Sequence, residues 1–158
     1  MEHYYLNRKY KDRLFRFIFS DKGNLLQLYN AINDSHYNNP DDLVITTIDD
    51  VVYMGMKNDL SFIIDDVMSL YEHQSTYSPN LPLRGLFYFS AMYRNYIEPM
   101  KQKLYTDSPL RIPFPVYLVF YNGSMEEPER KEILLSEWKR AAACLRMHCP
   151  FAEYQFWA

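Results

Sequence analysis

The first third of the chain has the hydrophobic spacing of two amphipathic helices. Apolar residues recur every three or four positions over residues 10–19, and again over residues 24–33. Ser20 and Asp21 stand just before the second of these segments and have side chains of the kind that cap helix N-termini. A polar stretch over residues 33–42, which contains Pro40, predicts a loop after the second helix.

The hydrophobic period changes after this loop. Residues 43–54 are rich in Val, Ile and Thr and predict a strand, interrupted near Asp49 and Asp50, and residues 59–64 and 67–75 predict two more strands. Pro82 stands where a helix over residues 83–104 begins, and 109–115 predicts a linker. Residues 116–121 predict a fourth strand, which ends at Asn122 and Gly123. This αβββαβ order predicts a mixed α/β domain, with helices on both faces of a central sheet.

One predicted hairpin, formed by the second and third strands, combines apolar strands with acidic residues. If Asp65 and Asp66 form a two-residue turn, Ile64 pairs with Val67 and the register of the whole hairpin follows. A four-residue loop keeps this register, whereas a loop with an odd number of residues shifts it by one and moves the acids to different faces.

This register brings two carboxylates together at the open end of the hairpin. Asp59 falls opposite Glu72, with Cβ atoms about 4.5–5.5 Å apart, and Gln74 shares their face. Two like charges beside an apolar core repel each other, and a bound Mg²⁺ would remove that repulsion. The alternative is an exposed strand end whose acids face water. The pattern by itself leaves both interpretations open.

Composition limits the class of protein. The 158 residues are 48% apolar and 23% charged, which is typical of one globular domain. Only 4 glycines occur, and neither a P-loop nor a dinucleotide-binding glycine motif is found. The net charge of −3 argues against a generic polyanion binder. However, residues 8–16 contain five bases and one acid, and residues 83–111 contain five bases and two acids, so two basic segments remain available for a nucleic-acid backbone.

The cysteines and the apolar runs indicate a soluble cytoplasmic protein. Cys144 and Cys149, with His148 near them, do not have zinc-ligand spacing and are interpreted as reduced thiols. The N-terminus is polar and basic, without the apolar segment of a signal peptide. The longest apolar run, residues 116–121, is too short to span a bilayer, so we expect no membrane partner.

Four blocks of the sequence resemble a known nuclease family. They are KDRLFRFIFSDKGNLLQLYNAI over residues 11–32, KNDLSFII and YEHQSTYSPNLPLRGLFY within residues 57–88, and PVYLVFYNG over residues 115–123. Together they resemble, in the family's order and across residues 10–136, the Rpn family of recombination-promoting nucleases. This family is also described as YhgA-like transposases, and it belongs to the PD-(D/E)XK nuclease superfamily.

The resemblance implies a restriction-endonuclease-like core over residues 1–124, followed by a short C-terminal extension over residues 125–158. It implies cleavage of DNA with Mg²⁺, or with Mn²⁺ in its place, in recombination or mobile-element chemistry. The two acids of the superfamily motif correspond to Asp59 and Glu72, which would hold the metal together with the main-chain carbonyl of His73. Gln74 stands where the superfamily has a lysine, and an amide can position water only by hydrogen bonds.

Other residues near these blocks are expected to contact substrate or metal. Arg84 and Tyr88 lie four positions apart on the predicted second main helix, where superfamily members contact the scissile phosphate. The alternatives are a surface ion pair for Arg84 and a core aromatic for Tyr88. Lys57 could touch a phosphate or belong to a solvated turn. Asp12 could be an additional acid near the metal, although pairing with Arg16 is slightly favoured.

The chain is short for this family, which leaves a second interpretation. It could be a truncated remnant of low or no activity that binds DNA or a protein partner. The aromatic residues within 149–158 could cover a hydrophobic face in a homodimer, although packing against their own domain is the favoured alternative.

Overall fold

A computed structural model describes residues 8–46, 60–134 and 154–157 of the protein, which form a mixed α/β fold. The α-helices are α1 (Arg8–Phe19), α2 (Lys22–Asn33) and α3 (Leu81–Ile97), and two 3₁₀ helices span Pro40–Asp42 and Glu98–Tyr105. The strands are β1 (Val44–Ile45), β2 (Leu60–Ile64), β3 (Val67–Gln74), β4 (Phe114–Tyr121), β5 (Arg130–Glu132) and β6 (Tyr154–Trp157). The predicted α/β class is therefore confirmed.

The described strands form one mixed sheet in the order β1-β2-β3-β4-β6-β5. β1, β2 and β3 are antiparallel neighbours, whereas β3 pairs in parallel with β4 and β4 pairs in parallel with β6. β5 is antiparallel to β6 at the far edge. β3 and β4 lie in the middle of the sheet, which explains why β4 is a nearly continuous apolar run.

Two apolar cores lie on opposite faces of the sheet. Alternate residues of β3 point to opposite sides, so Met68 and Leu70 pack beneath α3, while Tyr71 packs beneath α1 and α2. The α3 core includes Tyr88, Phe89 and Met92 from the helix and Tyr117 and Val119 from β4. The other core includes Phe15, Leu25, Tyr29, Phe62 and Leu118. Helices on both faces of the sheet were predicted, and this arrangement is confirmed.

The β2–β3 hairpin has the predicted register. Ile64 pairs with Val67, and the pairing continues to the last described pair, Leu60 with Tyr71. Asp65 has a φ of 48°, in the left-handed region that aspartate tolerates in turns, and its carboxylate accepts a hydrogen bond from the Tyr37 hydroxyl. Asp59 lies outside the described residues, so its expected position opposite Glu72 stays a prediction.

Several element boundaries differ from the prediction. α3 begins at Leu81 and ends at Ile97. It ends there because Pro99, which lies in the 3₁₀ helix that follows, lacks the N–H that a continuing α-helix needs. β4 begins at Phe114, inside the stretch predicted to be a linker. The strand predicted over residues 43–54 is described only to residue 46, as the two-residue β1. β5 and β6, from the expected C-terminal extension, join the same sheet, with β6 beside β4 and β5 beside β6.

In the described ranges, no helix combines the length and the apolar character needed to cross a bilayer.

Candidate functional site

Glu72 is a buried acid on the face of β3 that packs against α3. Its side chain is 2% exposed, and it follows Met68 and Leu70 on the same face of the strand. An ionised carboxylate in such surroundings is costly unless hydrogen bonds and an opposite charge compensate for the lost water. The neighbours of Glu72 therefore define the site.

Arg84 provides the opposite charge. Its Nη2 atom lies 3.2 Å from Glu72 Oε1 and 3.1 Å from Oε2, and the pair is a salt bridge. Residues 75–80 form a short connection from β3 to α3, so the first turn of the helix returns to the end of the strand. Arg84 lies in that first turn, where its backbone N–H donates to the Asn80 carbonyl oxygen.

Tyr117 is a further partner of the carboxylate and comes from β4. Its hydroxyl donates to Glu72 Oε2 at 2.5 Å, and the ring is 1% exposed. Tyr117 pairs with Leu70 in the β3–β4 ladder, so it stands diagonally to Glu72 on the same face of the sheet. The hydroxyl is therefore fixed in place by the parallel strand pairing.

Gln74 lies on the same face as Glu72, as predicted. In one orientation of its amide, Nε2 donates to Glu72 Oε2 at 3.3 Å. In the other, the amide oxygen accepts from both Nη atoms of Arg84, and the nitrogen donates to the Thr76 carbonyl oxygen at 3.2 Å. We favour the second orientation, because the first places an amide N–H against guanidinium N–H groups.

Tyr88 lies one helical turn after Arg84 and belongs to both the core and the site. Its ring is 7% exposed and packs within the α3 core, while its hydroxyl accepts a bond of 3.4 Å from Arg84 Nη2. The guanidinium carbon also lies 5.9 Å from the centre of the Tyr88 ring. Burial, and then the charge of Glu72, raises the pKa of Tyr88 to about 12, so its hydroxyl stays protonated near neutral pH.

Electrostatic coupling keeps the remaining groups in defined charge states. Burial first, and the Glu72 carboxylate second, raise the pKa of Tyr117 well above its usual value, so Tyr117 remains a hydrogen-bond donor. Burial lowers the pKa of Arg84, but the Glu72 charge raises it, and the net direction is upward. The guanidinium therefore stays charged beside the carboxylate.

The structure describes only some of the other predicted site residues. The His73 ring points to the opposite face of the sheet, where it stacks on Phe15 with ring centres 5.7 Å apart, so its imidazole is directed away from Glu72. Asp59 and Lys57 lie outside the described residues, and the side chain of Asp12 is also undescribed. The alternative role of Arg84, an ion pair, exists in the structure, but its partner is a buried acid and not a surface one.

Sequence reasoning missed Tyr117. Its apolar strand predicts an ordinary core position, and nothing in the local sequence links residue 117 to residue 72. The link depends on the parallel pairing of β3 and β4, which joins segments far apart in the chain. A tyrosine in a doubly buried strand was the one available signal, because a buried hydroxyl needs a partner.

The oxygen atoms of the described site are of the type that a hard divalent cation binds. Glu72 offers carboxylate oxygens and Gln74 an amide oxygen, and oxygen ligands are those that Mg²⁺ prefers. Within the part of the chain that the structure describes, no three His, Cys, Asp or Glu side chains come together. Asp59, the second carboxylate predicted for this site, lies outside the described residues.

No family model, no curated protein and no solved structure matches the chain.

Proposed function

We propose that this protein is a metal-dependent endonuclease that hydrolyses DNA phosphodiester bonds, built on a restriction-endonuclease-like core of the PD-(D/E)XK type. The observation that supports this best is Glu72, a carboxylate 2% exposed near the end of β3, in a hairpin with the expected register. A buried carboxylate is costly to keep unless an opposite charge and hydrogen bonds compensate for the lost water, which makes Glu72 a candidate functional group.

Glu72 and Asp59 are the proposed metal-holding side chains, with the His73 main-chain carbonyl as a further ligand and Asp12 as an additional acid. When bound, Mg²⁺ or Mn²⁺ would lower the pKa of a water molecule and offset charge on the phosphate. Gln74 would orient the attacking water through its amide, since it lies on the Glu72 face of β3.

Arg84 and its neighbours would hold the substrate. A guanidinium matches the geometry of phosphate oxygens, and Arg84 is the charged group nearest to Glu72 among the described residues. Tyr88 would fix the guanidinium from one helical turn away, and Lys57 is proposed as a further phosphate contact. The basic segments at residues 8–16 and 83–111 support DNA as the substrate, through backbone contacts without base readout. We place this activity in the cytoplasm and in recombination or mobile-element chemistry.

A plasmid-nicking assay tests the proposal. We expect the full chain to convert supercoiled plasmid to the relaxed form with Mg²⁺ and to stop when the metal is chelated. Asp59→Ala and Glu72→Ala should abolish nicking, whereas Asp66→Ala, which removes an exposed acid of the hairpin turn, should not. Circular dichroism establishes that each variant is folded. Equal nicking by wild type and both acid variants would refute the assignment.

One observation favours a second function, that of a catalytically inactive module that binds DNA or a protein partner. Arg84 and Tyr117 already satisfy the Glu72 carboxylate, and such a network can simply stabilise a fold. In this case the chain would shift a DNA fragment in a gel, or sediment as a homodimer, without nicking plasmid in Mg²⁺ or Mn²⁺. The same nicking assay, followed by sedimentation, therefore separates the two functions.

A further inference from the structure

The Glu72 carboxylate, which we assign to a metal, and two neighbouring oxygen groups contact the Arg84 guanidinium. Nη2 lies between the two carboxylate oxygens of Glu72, 3.2 and 3.1 Å from them, and the Gln74 amide oxygen accepts from the same group. Tyr88 contributes its hydroxyl oxygen at 3.4 Å. The guanidinium thus lies among the oxygen atoms of Glu72, Gln74 and Tyr88.

A divalent cation cannot share this position with Arg84. Mg²⁺ binds oxygen ligands at about 2.0–2.1 Å, on the same carboxylate edge that the guanidinium occupies. Two cations at one carboxylate also repel each other, and this repulsion is strong where the carboxylate is 2% exposed and water screens little. Metal and guanidinium therefore exclude each other at Glu72.

Arg84 is also the partner that can leave. Its side chain is 32% exposed, whereas Glu72 is 2% exposed and Tyr117 is 1% exposed. Rotation of a long, flexible arginine toward solvent disturbs little of the core, because Tyr117 and Glu72 stay in the sheet. Released from Glu72, the guanidinium would be a free phosphate-binding group beside the site.

We propose that Arg84 is an internal counter-ion that competes with the divalent cation for Glu72, and that metal binding releases Arg84 to bind a substrate phosphate. This inference rests on the proposed metal site and adds its regulation. Metal binding and phosphate binding are thereby coupled, since Arg84 becomes available to a phosphate only when the metal is bound.

Calorimetry with Mg²⁺ on the full chain, without DNA, tests the competition. We expect Arg84→Gln to bind Mg²⁺ at least ~10-fold more tightly than wild type, because removal of the guanidinium leaves the buried carboxylate without its cation. Arg94→Gln makes the same charge change at an exposed position of α3 and should leave the affinity unchanged. Adding Glu72→Gln to Arg84→Gln should remove the binding.

A second measurement uses wild-type protein and does not depend on how a variant folds. The Arg84 side-chain N–H resonances, identified by their loss in Arg84→Lys, should exchange slowly with water in the metal-free protein. Saturating Mg²⁺ should shift them and increase their exchange rate, because the bonds to Glu72 and Gln74 are broken. The resonances of Arg94 should not respond.

These experiments distinguish a failure of the Arg84 competition from a failure of the proposed nuclease function. If Mg²⁺ binds in a Glu72-dependent way and plasmid is nicked, but Arg84→Gln does not tighten binding and the Arg84 resonances do not respond, the competition is refuted and the nuclease stands. If Arg84→Gln shows no Glu72-dependent Mg²⁺ binding and wild type does not nick plasmid, both proposals are refuted.

Discussion

The Tyr117 hydroxyl donates a hydrogen bond of 2.5 Å to Glu72 Oε2, across the parallel pair β3–β4 at the centre of the sheet. Both side chains are almost fully buried, and the same carboxylate accepts from Arg84. The charged site and the apolar core of the α3 face are therefore one structure, because the hydroxyl that satisfies the acid belongs to a ring packed among Met68, Leu70 and Phe89. Changes at the site should consequently affect the stability of the fold.

Tyr117→Phe should destabilise the protein by about 1–3 kcal/mol, because it removes a hydrogen bond to a buried carboxylate while keeping the ring. Urea unfolding followed by circular dichroism measures this loss. Tyr105→Phe, at a position where the side chain is 90% exposed, is the matched control and should change nothing. An unchanged free energy of unfolding in Tyr117→Phe would show that the bond does not stabilise the fold.

Alkaline pH should destabilise the protein through its buried tyrosines. Burial raises the pKa of Tyr93 to about 12, and burial with the Glu72 charge raises that of Tyr88 to about 12. A tyrosine in the unfolded chain ionises near pH 10, so the unfolded state loses its proton first as the pH rises. Stability should stay constant below pH 10 and fall between pH 10 and 12, by up to about 1.4 kcal/mol per pH unit for a fully buried tyrosine and by less for the partly buried Tyr93.

Urea unfolding at pH 9, 10 and 11 measures how steeply the free energy of unfolding falls with pH. Tyr88→Phe should reduce this slope by the contribution of one tyrosine. A free energy of unfolding that stays constant from pH 9 to 11 would contradict the assigned burial of these hydroxyls.

Asp21→Ala should destabilise α2. Asp21 is the N-cap of this helix, and its Oδ1 accepts from the Asn24 backbone N–H at 2.9 Å. Loss of such a cap costs about 1 kcal/mol, with a range of roughly 0.5–2 kcal/mol. Asp21→Ser keeps an accepting oxygen and should retain most of the stability in a thermal melt. If the serine and alanine variants lose the same stability, the cap hydrogen bond is not the source of the effect.

Gly123→Ala should destabilise the turn that follows β4. A Cβ atom at residue 123 would overlap the ring and hydroxyl of Tyr121, which is 7% exposed and packed in the α3 core. Because that ring cannot move freely, we expect a loss of about 1–3 kcal/mol in urea unfolding. Ser124→Ala, in the same turn, is the control and should be neutral within about 0.5 kcal/mol. Equal stability of the two variants would show that Tyr121 can leave its position.

Local features of the fold could be predicted from the sequence. Asp21 supplies a cap oxygen just before an apolar helical repeat, and the structure places it at the N-terminus of α2. Asp65 and Asp66 predict the turn that sets the register of the hairpin, which the pairing of Ile64 with Val67 confirms. These features depend on residues close together in the chain, where spacing and turn chemistry determine the geometry. The end of α3 differs from the prediction, because the helix predicted over residues 83–104 ran past Pro99, a residue that lacks the N–H a continuing α-helix needs.

The sequence by itself determined the α/β class, the β2–β3 register and the face of β3 shared by Glu72 and Gln74. Only the tertiary structure decided which groups surround that acid. Arg84 reaches it because the connection after β3 returns α3 over the strand, and Tyr117 reaches it because β4 pairs in parallel with β3. The physical reason is that strand alternation is a local property of the backbone, whereas a parallel pair is chosen by the packing of distant segments.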